Sequence, residues 1–129
     1  MKVKRTKTFA GVPWETKVGY SRAVNAGGTV YVSGTTGTDN TGKVLSPGNA
    51  YEQTVQSLRN IEEALRRFGL GLEHVVRTRI YLTDIDRWED VAKAHAEAFA
   101  EVHPATSVVG VNRLIDPEML VEIEAIAVN

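Results

Sequence analysis

The ten residues that precede the C-terminal asparagine constrain the fold more than any other stretch of the chain. Residues 119–128 read M-L-V-E-I-E-A-I-A-V, and side chains two positions apart in a β-strand lie on the same face of the sheet. One of the two resulting sets is wholly apolar, whereas the other carries Glu122 and Glu124. The pattern predicts a central strand with one face on the core. The polar residues on its second face indicate a binding site, a subunit contact or both.

The remaining patterns predict an α+β layer, in which two helices cover one face of a mixed β-sheet. Asp86 is the expected N-cap of the second helix, with Glu89 completing a capping box. Residues 1–129 are expected to form a single domain. The expected elements, in chain order, are an edge strand within 2–9, a hairpin of Tyr20–Val24 and Thr29–Ser33, a helix over 49–68, a strand over Val75–Thr83, a helix from Arg87 to Val102, a strand over Thr106–Val111 and the C-terminal strand.

The strand after the first helix carries basic side chains on one of its faces. One predicted face holds Val76, Thr78, Ile80 and Leu82, and the other holds Val75, Arg77, Arg79 and Tyr81. We expect the second set on the sheet face that the helices leave uncovered, together with Glu122 and Glu124. The two glutamates then have two interpretations. They form ion pairs with Arg77 or Arg79, or one of them is a general base with a raised pKa.

Composition excludes several classes of function. A net charge of −1 among 129 residues argues against a nucleic-acid partner, which usually leaves a basic footprint. The chain has no cysteine, so disulfides and thiolate sites are excluded, and its three histidines show no ligand spacing, so no metal is expected. It lacks an apolar run that could span a membrane and the apolar segment of a signal peptide. We therefore expect a cytoplasmic protein.

Two aromatic side chains have interpretations of their own. Trp14, in the loop G-V-P-W-E-T-K, is a lid on the core, a subunit contact or a stacking surface for a ligand. His95 lies on the apolar stripe of the second helix, where a hydrogen-bonded, partly buried histidine is the expected role.

Five motifs are distributed along the chain. They are G-Y-S-R-A-V at 19–24, V-Y-V-S-G-T at 30–35, V-V-R-T-R-I-Y-L-T-D-I at 75–85, P-A-T-S at 104–107 and L-V-E-I-E-A-I-A-V at 120–128. With these motifs the chain resembles a divergent subgroup of the YjgF/Rid family, the reactive-intermediate deaminases once labelled L-PSP endoribonucleases, and the resemblance that they carry covers nearly the whole chain. The resemblance implies a chorismate-mutase-like fold and a homotrimer whose sheets line a central barrel. It also implies small clefts between subunits, where an imine or enamine bearing a carboxylate is hydrolysed to ammonia and a 2-keto acid without a cofactor.

The resemblance also implies roles for particular residues. Tyr20 and Ser33 match the family's cleft-lining tyrosine and serine, and Glu122 matches the glutamate that positions water. The family's arginine in P-A-R-S grips the substrate carboxylate by a bidentate pair, and Thr106 stands in its place. Losing each charge-assisted hydrogen bond costs on the order of 1.5–3 kcal/mol. We expect Arg79 to be the first substitute for the missing charge.

Other cations are weaker substitutes for that arginine, namely Arg22, Arg113 and His95. Three hypotheses about function follow. The chain hydrolyses a C–N bond at a subunit cleft, it is a non-catalytic ligand-binding or regulatory trimer that uses the same cleft, or it is the nuclease of the older family label. The loss of the arginine favours the second hypothesis, and the net charge disfavours the third.

Overall fold

The computed structural model describes residues 4–129 as a mixed β-sheet of six strands with two helices, so the predicted α+β layer is confirmed. The predicted edge strand within 2–9 corresponds to the first strand, and residues 2 and 3 lie outside the described residues. The strands are β1 (Arg5–Thr8), β2 (Ala23–Ala26), β3 (Thr29–Thr36), β4 (Val75–Leu82), β5 (Ala105–Gly110) and β6 (Val121–Val128), and the helices are α1 (Ala50–Arg66) and α2 (Trp88–Ala98).

The C-terminal strand lies at the centre of the sheet, as its pattern predicts. The strand order is β1-β2-β3-β6-β4-β5, and only the pair β4 and β5 is parallel. One face of β6 packs in the core under the helices through Val121, Ile123, Ala125 and Ala127. Glu122 and Glu124 lie on the other face, which the helices leave uncovered.

Helix α1 begins and ends where local chemistry predicts. Asn49 is its N-cap, since the side-chain oxygen accepts a hydrogen bond from the Glu52 amide at 3.0 Å. Gly69, three residues beyond the helix, has a φ of 76°, a conformation that glycine adopts without the steric cost of a Cβ. The stripe that includes Leu58, Ile61 and Leu65 is buried against the sheet.

A buried glutamine of α1 anchors the segment that leads into β6. Gln53 donates its side-chain amide to the carbonyl groups of Ser46, at 3.2 Å, and Glu118, at 2.9 Å. Its side-chain oxygen accepts the backbone N–H of Leu120 at 2.8 Å. Because this amide group satisfies three backbone groups, it fixes where β6 starts and therefore where Glu122 lies.

The start and end of the second helix differ from the prediction. Asp86 is not its N-cap, because Asp84 instead caps a short 3₁₀ turn, Ile85–Arg87, by accepting the Asp86 amide at 3.1 Å. Helix α2 begins only after this turn and ends at Ala98 rather than Val102. Trp88, the first residue of α2, is 51% exposed.

The faces of β4 also differ from the prediction at one end. Val75 is buried and Val76 is exposed, the reverse of what strict alternation predicts. The pairing of β4 with β6 shifts register between Val75 and Arg77, so a bulge turns the two valines around. From Arg77 to Leu82 the predicted faces are correct.

Replacing Gln53 with methionine should destabilise the fold, because it leaves three backbone groups without their partner. Buried polar groups that lose a hydrogen bond cost about 1–3 kcal/mol each, so we expect the free energy of unfolding to fall by at least about 2 kcal/mol in urea denaturation. The matched control is Gln56→Met on the same helix, which loses one half-buried contact with Asn60 and should cost less than about 1 kcal/mol. Equal losses in the two variants would contradict this role of Gln53.

Candidate functional site

An open cleft of about 380 Å³ lies beside Glu122. It brings together three residues that the sequence analysis selected, Tyr20, Ser33 and Glu122. Its apolar wall includes Trp14, Ile115 and Met119. The predicted site residues thus converge from three places in the chain: the end of the helical turn Glu15–Gly19, strand β3 and strand β6.

A bulge in β3 makes room for the Glu122 side chain. The pairing of β3 with β6 steps from Val32 opposite Ala125 to Thr35 opposite Ile123, so two residues of β3 occupy the space of one. The second of them is Gly34, where an added Cβ would lie 2.6 Å from Oε2 of Glu122. The carboxylate therefore rests against backbone that only a glycine leaves open.

The two glutamates of β6 have different environments. Glu124 accepts hydrogen bonds from the Tyr81 hydroxyl at 2.8 Å and from Arg79 at 3.2 Å, which confirms the predicted ion pair for this residue. Burial raises the pKa of Glu122, the nearby Glu124 charge raises it further, and the Arg22 charge opposes both effects. Within residues 4–129 the Glu122 carboxylate has no hydrogen bond, so it is the glutamate whose oxygens remain available.

A buried ion pair supports the bulge from behind. Arg22 and Glu15 are 7% and 5% exposed, and Nε of Arg22 lies 3.7 Å from the Glu15 carboxylate. The same guanidinium donates at 2.9 Å to the Gly34 carbonyl and to the Thr35 hydroxyl. Glu15 also accepts two backbone N–H groups, those of residues 10 and 11, at 2.9 Å each. The pair therefore joins the turn at 15–19 to the glycine that touches Glu122.

Sequence reasoning missed Glu15 and Gly34, and it treated Arg22 only as a substitute cation. A glycine inside a strand pattern often marks a bulge or a close approach of another group, and that signal was present in V-Y-V-S-G-T. No comparable signal connects Glu15 to Arg22, because their contact depends on how the loop folds back.

The other cleft residues are held in place by contacts of their own. Ser33 donates its hydroxyl proton to the Ser21 carbonyl at 2.7 Å, so its oxygen can act only as an acceptor toward any other group. The ring of Tyr20 lies 5.7 Å from the Arg22 guanidinium carbon, within reach of a cation–π contact. The indole of Trp14 packs close to Gly42, and its location in the cleft wall suits a lid or a stacking surface.

Thr106 and Arg79 lie outside this cleft in the single chain. Thr106 is on β5 and faces the helix side, where its hydroxyl lies 2.7 Å from that of Thr78. The Thr78 hydroxyl lies 2.9 Å from Nε2 of His95, so the predicted hydrogen-bonded histidine is confirmed. Burial lowers the pKa of His95. Arg79 borders a neighbouring depression with Glu124, and Arg113 lines a separate hollow.

Two kinds of feature are absent from residues 4–129. No group of three or more histidine, cysteine, aspartate or glutamate side chains is placed to hold a metal ion there. In the same part of the chain, no helix has the length and apolar character needed to cross a bilayer.

Replacing Gly34 with alanine should displace the Glu122 side chain while the fold survives. The new methyl group would occupy the position of a flexible carboxylate, so the unfolding free energy should change by less than about 1 kcal/mol. We expect a large change in the ¹³C resonance of the Glu122 carboxyl group. The control is Gly28→Ala, where φ is 91° and no atom lies within 4 Å of the new methyl. This control should cost about 1 kcal/mol and leave the Glu122 resonance in place; the opposite pattern would contradict the contact.

Comparison with known proteins gives a consistent set of matches. Residues 13–129 match the family model described as Endoribonuclease L-PSP. A crystal structure of a Mycobacterium tuberculosis member of the YjgF/YER057c/UK114 family superposes with a TM-score of 0.88 at 48% identity, covering 98% of this chain and all of that one.

Two sequence relatives agree with this match. An uncharacterized protein of Streptomyces coelicolor is 41% identical over 116 residues, or 89% of this chain and 85% of that protein. The 2-iminobutanoate/2-iminopropanoate deaminase of Mus musculus is 36% identical over 109 residues, or 84% and 80% of the two chains. The sheet with its two helices is therefore the chorismate-mutase-like fold of these relatives, and the chain belongs to the Endoribonuclease L-PSP family, also called the YjgF/YER057c/UK114 family.

Proposed function

We propose that this protein hydrolyses the C=N bond of a small imine, or of the enamine in equilibrium with it, with Glu122 as general base. The observation that carries the proposal is the Glu122 carboxylate, which lies partly buried in the cleft. Burial raises the pKa of this group. Such a group can take a proton from water at neutral pH, and proton transfer of this kind typically contributes about 10²–10⁴ in rate. The relative named as an imine deaminase supports the same reaction class.

The proposed reaction needs only acid–base chemistry. Glu122 takes a proton from water as the oxygen adds to the carbon of the protonated imine, and the C=N double bond becomes a C–N single bond to a neutral amino group. The carbinolamine nitrogen then receives a proton from the Glu122 carboxyl group. The C–N bond breaks, the Glu122 carboxylate takes the hydroxyl proton and passes it to the departing ammonia, and a carbonyl compound and ammonium result. No cofactor or metal takes part in this scheme, and Tyr20 and Ser33 orient the substrate.

We further propose that the cleft is completed by a second copy of the chain in a homotrimer. The cleft is open, and Ile115 in its wall and Val18 at its rim are 65% and 68% exposed. Strand β5 is an edge of the sheet with Val108 and Val109 exposed, so it offers an apolar surface to a neighbour. In this arrangement Thr106 and Arg79 of one copy can approach the cleft of another.

A non-catalytic ligand-binding or regulatory trimer is the second candidate. The observation that favours it is the presence of threonine at position 106. The neutral hydroxyl of Thr106 cannot replace the charged, bidentate hydrogen bonds that an arginine makes to a carboxylate. Both candidates use the same cleft, and catalysis alone distinguishes them.

Ammonia release from imines made in situ tests the proposal. An amino acid oxidase acting on alanine supplies 2-iminopropanoate, and an amine oxidase acting on a primary amine supplies an imine without a carboxylate. We expect this protein to accelerate ammonia release from at least one of them. Because the base must be ionised, the rate should rise with pH through the raised pKa of Glu122.

The matched variants for this assay are Glu122→Gln and Glu89→Gln. Glu122→Gln should return the rate to that of buffer, whereas Glu89, an exposed residue of α2, should be replaceable without effect. Ligand binding without any acceleration would favour the non-catalytic trimer. Sedimentation at the mass of one chain would contradict the shared cleft.

A further inference from the structure

We infer that the cleft takes a ligand with a cationic or N–H-bearing carbon–nitrogen group and without a carboxylate. This inference deepens the proposed function and rests on it, since it names the substrate class of the same cleft. It depends on how the charged side chains around Glu122 are already paired.

The one cation that lines the cleft within residues 4–129 is Arg22, and its charge is already balanced. Its partner Glu15 is buried beside it at 3.7 Å. Two of the arginine's donor contacts go to protein oxygens, those of Gly34 and Thr35. An incoming carboxylate would therefore meet a neutral pair and would compete with Glu15 for the guanidinium.

The second acidic residue of the cleft wall, Glu124, is balanced in the same way. Arg79 and Tyr81 hold its carboxylate at 3.2 Å and 2.8 Å. After both pairs are counted, Glu122 remains as the unbalanced charge. The ionised cleft thus carries a net charge of −1, which attracts a cation and repels an anion.

The hydrogen bonds of Thr106 point to the same ligand class. Its hydroxyl has a single proton, which it donates to the Pro104 carbonyl at 3.0 Å. The Thr78 hydroxyl must then donate to Thr106, at 2.7 Å, and accept the Nε2 proton of His95, at 2.9 Å. Thr106 is left with a lone pair, so in the trimer it accepts from an N–H group and offers no donor to a carboxylate.

Propionamidine and propionate form a matched pair of probes for this inference. Both are small and planar at the polar end and carry the same alkyl group, but the amidinium is a cation that resembles a protonated imine, whereas the carboxylate is an anion. Binding is measured at pH 8 by ¹H–¹⁵N chemical-shift perturbation of the full chain. We expect propionamidine to bind at the cleft at least tenfold more tightly than propionate.

Variants assign the preference to particular groups. Glu122→Gln should remove the preference for propionamidine, and the control Glu89→Gln should keep it. Thr106→Arg should gain affinity for propionate, whereas Thr106→Gln, which adds length without charge, should not.

The outcomes separate this inference from the proposed function. Tighter binding of propionate by the unaltered protein, or a preference that survives in Glu122→Gln, would overturn the inference and leave a ligand-binding cleft in place. If neither probe perturbs cleft residues, both the cleft function and the inferred substrate class are overturned. Failure of Thr106→Arg to gain propionate affinity would contradict the location of Thr106 beside the ligand.

Discussion

The contact between the Glu122 carboxylate and the bare backbone of Gly34 is the constraint on which the site depends. A side chain at position 34 would overlap the carboxylate, and the bulge that brings the glycine there exists because β3 pairs with β6 in two registers. Arg22 holds the bulge through the Gly34 carbonyl, and Gln53 holds the start of β6 through the Leu120 amide. Both ends of the contact are thus fixed by buried polar groups, whose loss is costly.

Much of this arrangement could be predicted from the period-two pattern of β6. The alternation of apolar and acidic residues placed β6 at the centre and put both glutamates on the uncovered face, since register and faces follow directly from a strict alternation. The same rule failed at Val75 and Val76, because a bulge adds a residue that alternation does not count. It likewise could not show which glutamate would be paired, since that depends on where Arg79 and Tyr81 reach in three dimensions.

Tertiary contacts account for the remaining differences. Asp86 has a side chain typical of an N-cap. However, the Asp84 carboxylate accepts the Asp86 backbone N–H and caps a 3₁₀ turn that precedes α2. The pair of Glu15 and Arg22 spans a loop and a helical turn, so no sequence spacing predicts it. Thr106 was identified from the position of its motif, yet the single chain places it on the helix side of an edge strand. The role in the cleft that we propose for Thr106 therefore requires a second copy.

The chemistry of the cleft follows from the different environments of two neighbouring carboxylates, those of Glu122 and Glu124. Glu124 is neutralised by its partners, whereas Glu122 is desolvated without a hydrogen bond inside residues 4–129. In such an environment the proton is held more tightly in the folded state than in the unfolded chain. The contribution of Glu122 to stability therefore falls as the pH rises from its ordinary pKa of 4.5 toward the raised value.

The most direct test of this account is the titration of the Glu122 carboxyl group, followed by its ¹³C resonance in the intact protein. We predict a midpoint clearly above 4.5, and we expect that midpoint to rise further in the double variant Glu15→Gln/Arg22→Gln, which removes the opposing charge of Arg22 together with its buried partner. A midpoint at or below 4.5 would show that Glu122 is solvated or paired in solution. It would contradict the description of Glu122 as the partly buried carboxylate of the cleft that lacks a hydrogen-bond partner within residues 4–129.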